Sequence, residues 1–77
     1  MTENQSSDQG FDPHRALVSM LLEKVQQDPY PSSTMMDFVE ALLRPEEIPA
    51  YAAVLLDKIR NDTFPSLDLM VRVRDLA

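Results

Sequence analysis

The fold is decided by a phrase that the chain states twice, "DPYPSSTMM" at residues 28–36 and "DTFPSLDLM" at residues 62–70. In both, a proline closes an extended connection, and a serine (Ser32, Ser66) stands where its hydroxyl accepts the free N–H groups of a following helix. Four residues after each serine comes a methionine, Met36 or Met70, at the position where a hydrophobic staple lands. Asp37 and Asp68 add negative charge to the opening turn, which the helix dipole favours. Tyr30 and Phe64 are expected to tuck into the corner between the two helices of their own hairpin. The phrase reads as a turn from one helix into the next, made twice.

Outward from these turns the pattern is helical on both sides. Asp12 and Pro13 form a start signal, a capping carboxylate before a proline suited to the first helical position. Leu17, Val18, Leu21, Leu22 and Val25 then recur at helical spacing. Pro29 disfavours helical geometry at Asp28 and ends this first helix. A second helix is predicted from about Ser33 to Leu43, with Met35, Met36, Val39, Leu42 and Leu43 on one side. In "RPEEIP" two prolines four residues apart cannot both sit inside one helix. A short turn at Pro45–Glu47 and a third helix from Ile48 or Pro49 to about Asn61 follow, the latter carrying Tyr51, Leu55, Leu56 and Ile59. The fourth runs from Leu67 to the C-terminus with Leu69, Met70, Val73 and Leu76. Nothing alternates with period two over a useful length, so strands have no support.

The echo extends well beyond the turns. An offset of 34 takes Leu21, Leu22, Lys24 and Asp28 onto Leu55, Leu56, Lys58 and Asp62, and Pro31, Ser32, Met36, Val39 and Leu42 onto Pro65, Ser66, Met70, Val73 and Leu76, without a gap. Glu23 with Asp57, Val25 with Ile59 and Tyr30 with Phe64 are conservative pairs at the same offset. A duplicated helical hairpin explains this. The period equals that of tetratricopeptide repeats in length only: of the small residues at helix contacts, only Ala52 and Ala53 come close, and two repeats are too few for a solenoid. The expected fold is all-α, a compact four-helix bundle in which two hairpins (12–44 and 45–77) close face to face about a pseudo-twofold axis. Residues 1–11 read as a flexible acidic tail before a single helical domain at 12–77.

Composition narrows the function. A chain of 77 residues has room for one small domain, which buries only about 60% of the surface its unfolded form exposes. With no cysteine, disulfides, thiolate metal sites and thiol nucleophiles are excluded. The net charge of −6 and pI near 4.4 oppose nucleic-acid binding, which needs a clustered basic footprint. No apolar run reaches the roughly 18 residues of a membrane span, and the polar, acidic start lacks the features of a signal peptide. A cytoplasmic protein is expected.

The residues that could do chemistry have ordinary structural explanations. Nucleophilic use of Ser32 or Ser66 needs a base within hydrogen-bond reach, and the only histidine, His14, falls at a helix start beside Asp12. A lone histidine also makes a poor zinc site. Glu46 and Glu47, adjacent in sequence, suit a helix start better than a paired-acid site. Neither a phosphate loop nor a calcium loop occurs. Four pairs at i, i+4 spacing, Lys24 with Asp28, Lys58 with Asp62, Glu40 with Arg44 and Asp68 with Arg72, are each worth only about 0.2–0.5 kcal/mol when exposed. No catalytic, cofactor-binding or metal-binding residue is assigned, and no cofactor, nucleic acid or membrane is expected.

What remains is where the two copies diverge. Phe38 corresponds to Arg72 and Asp37 to Val71. Phe38 lies at the edge of a filled apolar stripe and either covers the core or, with Met35 and Leu42, forms an anchor for a partner, since methionine adapts and aromatics dominate binding hot spots. Val71, flanked by Arg72 and Arg74, makes an apolar and basic edge in an acidic protein. Met35, Phe38, Leu42, Val71, Arg72 and Arg74 are the candidate partner-binding residues of a small, non-catalytic protein–protein interaction or adaptor module, with another protein or a second copy as partner. The alternative is an acidic inhibitor or decoy that binds a basic surface of a nucleic-acid-binding partner, which the cations scattered along every helix disfavour.

Overall fold

The computed structural model of the protein describes residues 10–63 and 66–77. Most of the expected acidic tail, and the corner packing of Phe64, lie outside the described residues. Among the described residues four helices form where the start and stop signals place them: α1 (Pro13–Gln27), α2 (Ser33–Leu42), α3 (Ile48–Asn61) and α4 (Leu67–Leu76), with a 3-10 turn at Pro45–Glu47 between α2 and α3. No strand occurs among the described residues.

Local chemistry sets each boundary. Asp12 is in extended geometry and its Oδ1 accepts the N–H groups of His14 (3.1 Å) and Arg15 (3.3 Å), while Pro13 opens the helix. At the other end Asp28 returns to extended backbone before Pro29, and its carboxylate accepts the Tyr30 N–H at 3.0 Å. Ser32 Oγ accepts the Met35 N–H at 3.1 Å, and Ser66 Oγ that of Leu69 at 3.4 Å. The two serine caps do what the repeated phrase predicts, satisfying donors that the first turn leaves without partners.

The core is small and almost wholly aliphatic: Val25, Met36, Val39, Leu55 and Leu69, with Tyr51 at its centre. Around it pack Leu21, Leu22, Met35, Leu43, Val54, Ile59, Val73 and Leu76. The helix α3 touches both α1 and α4, and α1 touches α2. Within this arrangement α1 and α3 run parallel. His14, near the start of α1, meets Glu47 just ahead of α3, and Gln26, near the end of α1, donates to Asp57 toward the end of α3.

Two expectations are overturned. The hairpins do not close symmetrically about a twofold axis; they lie side by side, with the second presenting one face to the first and turning its other face outward. Burial at residues 34 apart shows it: Met36 is 2% exposed and Met70 40%, Tyr51 is fully buried and Leu17 39% exposed. A twofold contact would bury such pairs equally. Tyr30, in turn, does not fill its corner but stands 89% exposed. The tight turn built by the Asp28 carboxylate swings the ring outward, and Lys58 reaches over from α3 to close that end, its Nζ donating to the Asp28 carbonyl at 2.6 Å and to that of Gln26 at 3.4 Å.

Candidate functional site

The surfaces that could meet a partner are defined by the seam between the hairpins, because whatever the seam uses is not on offer. Its centre is Arg72 on α4. The guanidinium, with a side chain 10% exposed, donates through Nη1 to Asp37 and Glu40 of α2 and through Nε to Asp68, each at 2.9 Å, and through Nη2 to the Ser33 carbonyl at 3.5 Å. Glu40 also accepts the Tyr51 hydroxyl at 2.7 Å, so the buried phenol of α3, the carboxylate of α2 and the arginine of α4 form one chain of hydrogen bonds. Burial by itself would lower the Arg72 pKa, but hydrogen bonds to Asp68, Glu40 and Asp37 outweigh it and hold the group above its usual value. Burial, reinforced by Glu40, pushes the Tyr51 hydroxyl up in the same direction. Both groups are locked in their protonated forms.

A second cluster ties the start of α1 to the 3-10 turn. His14 Nε2 donates to Glu47 Oε1 at 2.9 Å, the same oxygen accepts the Arg44 N–H at 2.8 Å, and Arg44 Nη1 donates to Asp12 at 3.3 Å. The Arg44 N–H, followed by His14, holds the Glu47 carboxyl below its ordinary range; the Arg15 N–H and Arg44 do the same for Asp12. Glu47 is thus a joint between elements as well as a charge at a helix start. His14 lies a whole helix away from Ser32, roughly 20 Å at 1.5 Å per residue, and Ser32 and Ser66 are engaged as caps. Among the described residues no three acidic or histidine side chains gather to hold a metal ion, and no helix is long and apolar enough to cross a membrane.

The seam assigns every other edge. Gln26 points α1 toward α3, so Leu17 and Met20, on the far edge of α1, face away from the second hairpin. Ser33, Asp37 and Glu40 point α2 toward α4, so Met35, Phe38 and Leu42, at i, i+3 and i+7, face the same outer side as Leu17 and Met20. Phe38 is 53% and Met20 55% exposed, while Met35 and Leu42 are half-buried. Phe38 is therefore on the surface. The second hairpin has an outer face of its own on the opposite side of the molecule. Leu56 on α3 and Leu67 and Met70 on α4 are exposed there, with Arg60 and Arg74 beside them.

Of the six candidate residues, Met35, Phe38 and Leu42 share the first outer face. Val71 is half-buried and Arg74 is exposed on α4, paired only with the adjacent Asp75 at 3.1 Å. Arg72 is the exception: the basic edge expected around Val71 does not include it, because α2 offers carboxylates within its reach. Of the four spaced ion pairs, Asp68 with Arg72 forms as written, whereas Glu40 turns to Arg72 and Tyr51, and Arg44 to Asp12. Leu17, Met20, Leu56, Leu67 and Met70 were not among the candidates. Leu17, Leu56 and Met70 belong to the apolar stripes, but which part of a stripe stays uncovered depends on how the hairpins meet; Met20 and Leu67 lie outside the stripes. Compared with protein-family models, with curated proteins and with solved structures, the chain matches none.

Proposed function

We propose that the chain is a duplicated helical hairpin acting as a small protein–protein interaction module, binding through its outer faces and catalysing nothing itself. The observation that carries this reading is the outer face of the first hairpin, where Leu17, Met20, Met35, Phe38 and Leu42 lie together with an aromatic and two methionines among them. Exposed apolar side chains scattered singly need no explanation, but a contiguous group centred on such residues marks an interaction surface. The acidic-decoy reading finds less support: Asp12, Asp37, Glu40, Glu47 and Asp68 all serve as internal partners. Photo-cross-linking from a photoreactive amino acid at position 38, in the cell, tests the proposal. A specific protein adduct, whether to another protein or to a second copy, is expected; a residue that only ever reacts with water would overturn it.

A further inference from the structure

We infer that the partner is a second copy of this chain, bound head to tail: the outer face of hairpin two in one molecule receives the outer face of hairpin one in the next. The inference rests on the interaction reading above and deepens it. Its starting point is that the molecule already contains this kind of contact once. Inside the chain, one face of hairpin one, carrying Leu22, Gln26, Ser33, Met36 and Glu40, receives a face of hairpin two carrying Tyr51, Val54, Asp57, Leu69 and Arg72. Shifting the receiving set by the offset of 34 gives Leu56, Arg60, Leu67, Met70 and Arg74, the exposed outer face of hairpin two. Shifting the inserted set back gives Leu17, Met20, Glu23, Met35 and Phe38, the outer face of hairpin one. The two free faces are thus the unused halves of the contact that holds the chain together.

Two of the substitutions between the copies keep the transposed contact complementary. Where Gln26 donates to Asp57 inside the chain, the same positions between chains hold Arg60 and Glu23, a full ion pair. Where Arg72 reaches Asp37 and Glu40, the transposed residues are Phe38 against Val71 and Arg74. The Arg72 charge has been exchanged for an aromatic ring, and the two carboxylates for an aliphatic side chain and a guanidinium, which can lie on the face of that ring. Arg74 is free to do so, since its Asp75 pair is 72% and 63% exposed and such pairs hold little energy. Leu56 and Met70 offer the apolar floor that Leu22 and Met36 provide inside, and Leu17, Met20 and Met35 are the side chains to cover it. Both receiving arginines lie on one free face and Glu23 on the other, so the faces attract each other and each repels or ignores itself. The contact is heterologous and adds molecules in a row.

Sedimentation equilibrium on the full-length chain tests this with variants that kill one face each, Met20→Asp/Phe38→Asp and Leu56→Asp/Met70→Asp, with circular dichroism confirming that both stay helical. The wild type is expected to grow in mass with concentration. Each variant alone is expected to stay at 8.8 kDa, and an equimolar mixture to form a pair of twice that mass, because one variant keeps the receiving face and the other the inserting one. A charge reversal gives a second reading: Glu23→Arg weakens association, and adding Arg60→Glu to the same chain restores it. A wild type that stays monomeric, a variant that still dimerises alone, or a mixture that does not pair would overturn the inference. If the cross-linker at position 38 meanwhile captures a different protein, the interaction reading stands while the head-to-tail one fails.

Discussion

Arg72 and Phe38 occupy the same place in two similar helices and have opposite fates. The arginine is drawn under the seam by three carboxylates; the phenylalanine is left outside. Removing the fork by Arg72→Ala leaves Glu40 half-buried with only Tyr51 for a partner, and urea denaturation is expected to show a loss of about 2 kcal/mol, since hydrogen bonds to charged groups are worth more than exposed ion pairs. Arg72→Lys should recover less than half, because a point charge cannot serve three acceptors in a planar arrangement. Asp37, mostly exposed, is a control: Asp37→Asn is expected to cost under about 0.5 kcal/mol. Tyr51→Phe keeps the buried ring and removes one hydrogen bond, for an expected cost of about 1 kcal/mol. None of this network was legible in the sequence beyond the Asp68 and Arg72 spacing, because Glu40 and Tyr51 join it only once three helices are placed. Single polar residues at apolar stripe positions, Tyr51 for Leu17 and Arg72 for Phe38, are the trace it leaves.

The elements themselves were legible almost to the residue, since their boundaries depend on neighbours in the chain. Asp12, Pro13, Ser32, Pro45, Pro49 and Ser66 act within one turn of themselves, and the one tertiary contact described above among them, Arg44 to Asp12, uses the carboxylate oxygen that the cap leaves over. Ser32→Ala and Ser66→Ala are each expected to cost about 1 kcal/mol, with faster amide exchange confined to the opening turn of α2 or α4. The corner occupied by Tyr30 could not be read the same way, because Lys58 arrives there from another element. The joint between α1 and the 3-10 turn is lost in acid. Asp12 and Glu47 titrate below their ordinary values of 3.8 and 4.5, so their contribution is complete above those values and is lost as the pH falls through the lowered ones. Thermal melts across that range are expected to show stability dropping below about pH 4.5 in the wild type and a shallower drop in Glu47→Gln, which has one fewer carboxylate to protonate.

At the scale of the whole molecule, the offset of 34 carries information that the apolar stripes do not. Stripes say which residues can be buried; comparison of equivalent positions says which are. Leu17, Leu56 and Met70 all read as core, and all three are exposed because the hairpins stack side by side and each keeps one face uncovered. Four of the five methionines report on this arrangement. Met20 and Met35 lie on one outer face, Met70 on the other, and Met36 in the core. The most direct test of the account is a dilution series of the protein carrying carbon-13 methionine methyl groups, followed by NMR. The account predicts that Met20, Met35 and Met70 shift together as concentration rises while Met36 holds still. Unmoved outer methyl signals, or movement of Met20 and Met35 without Met70, would contradict it.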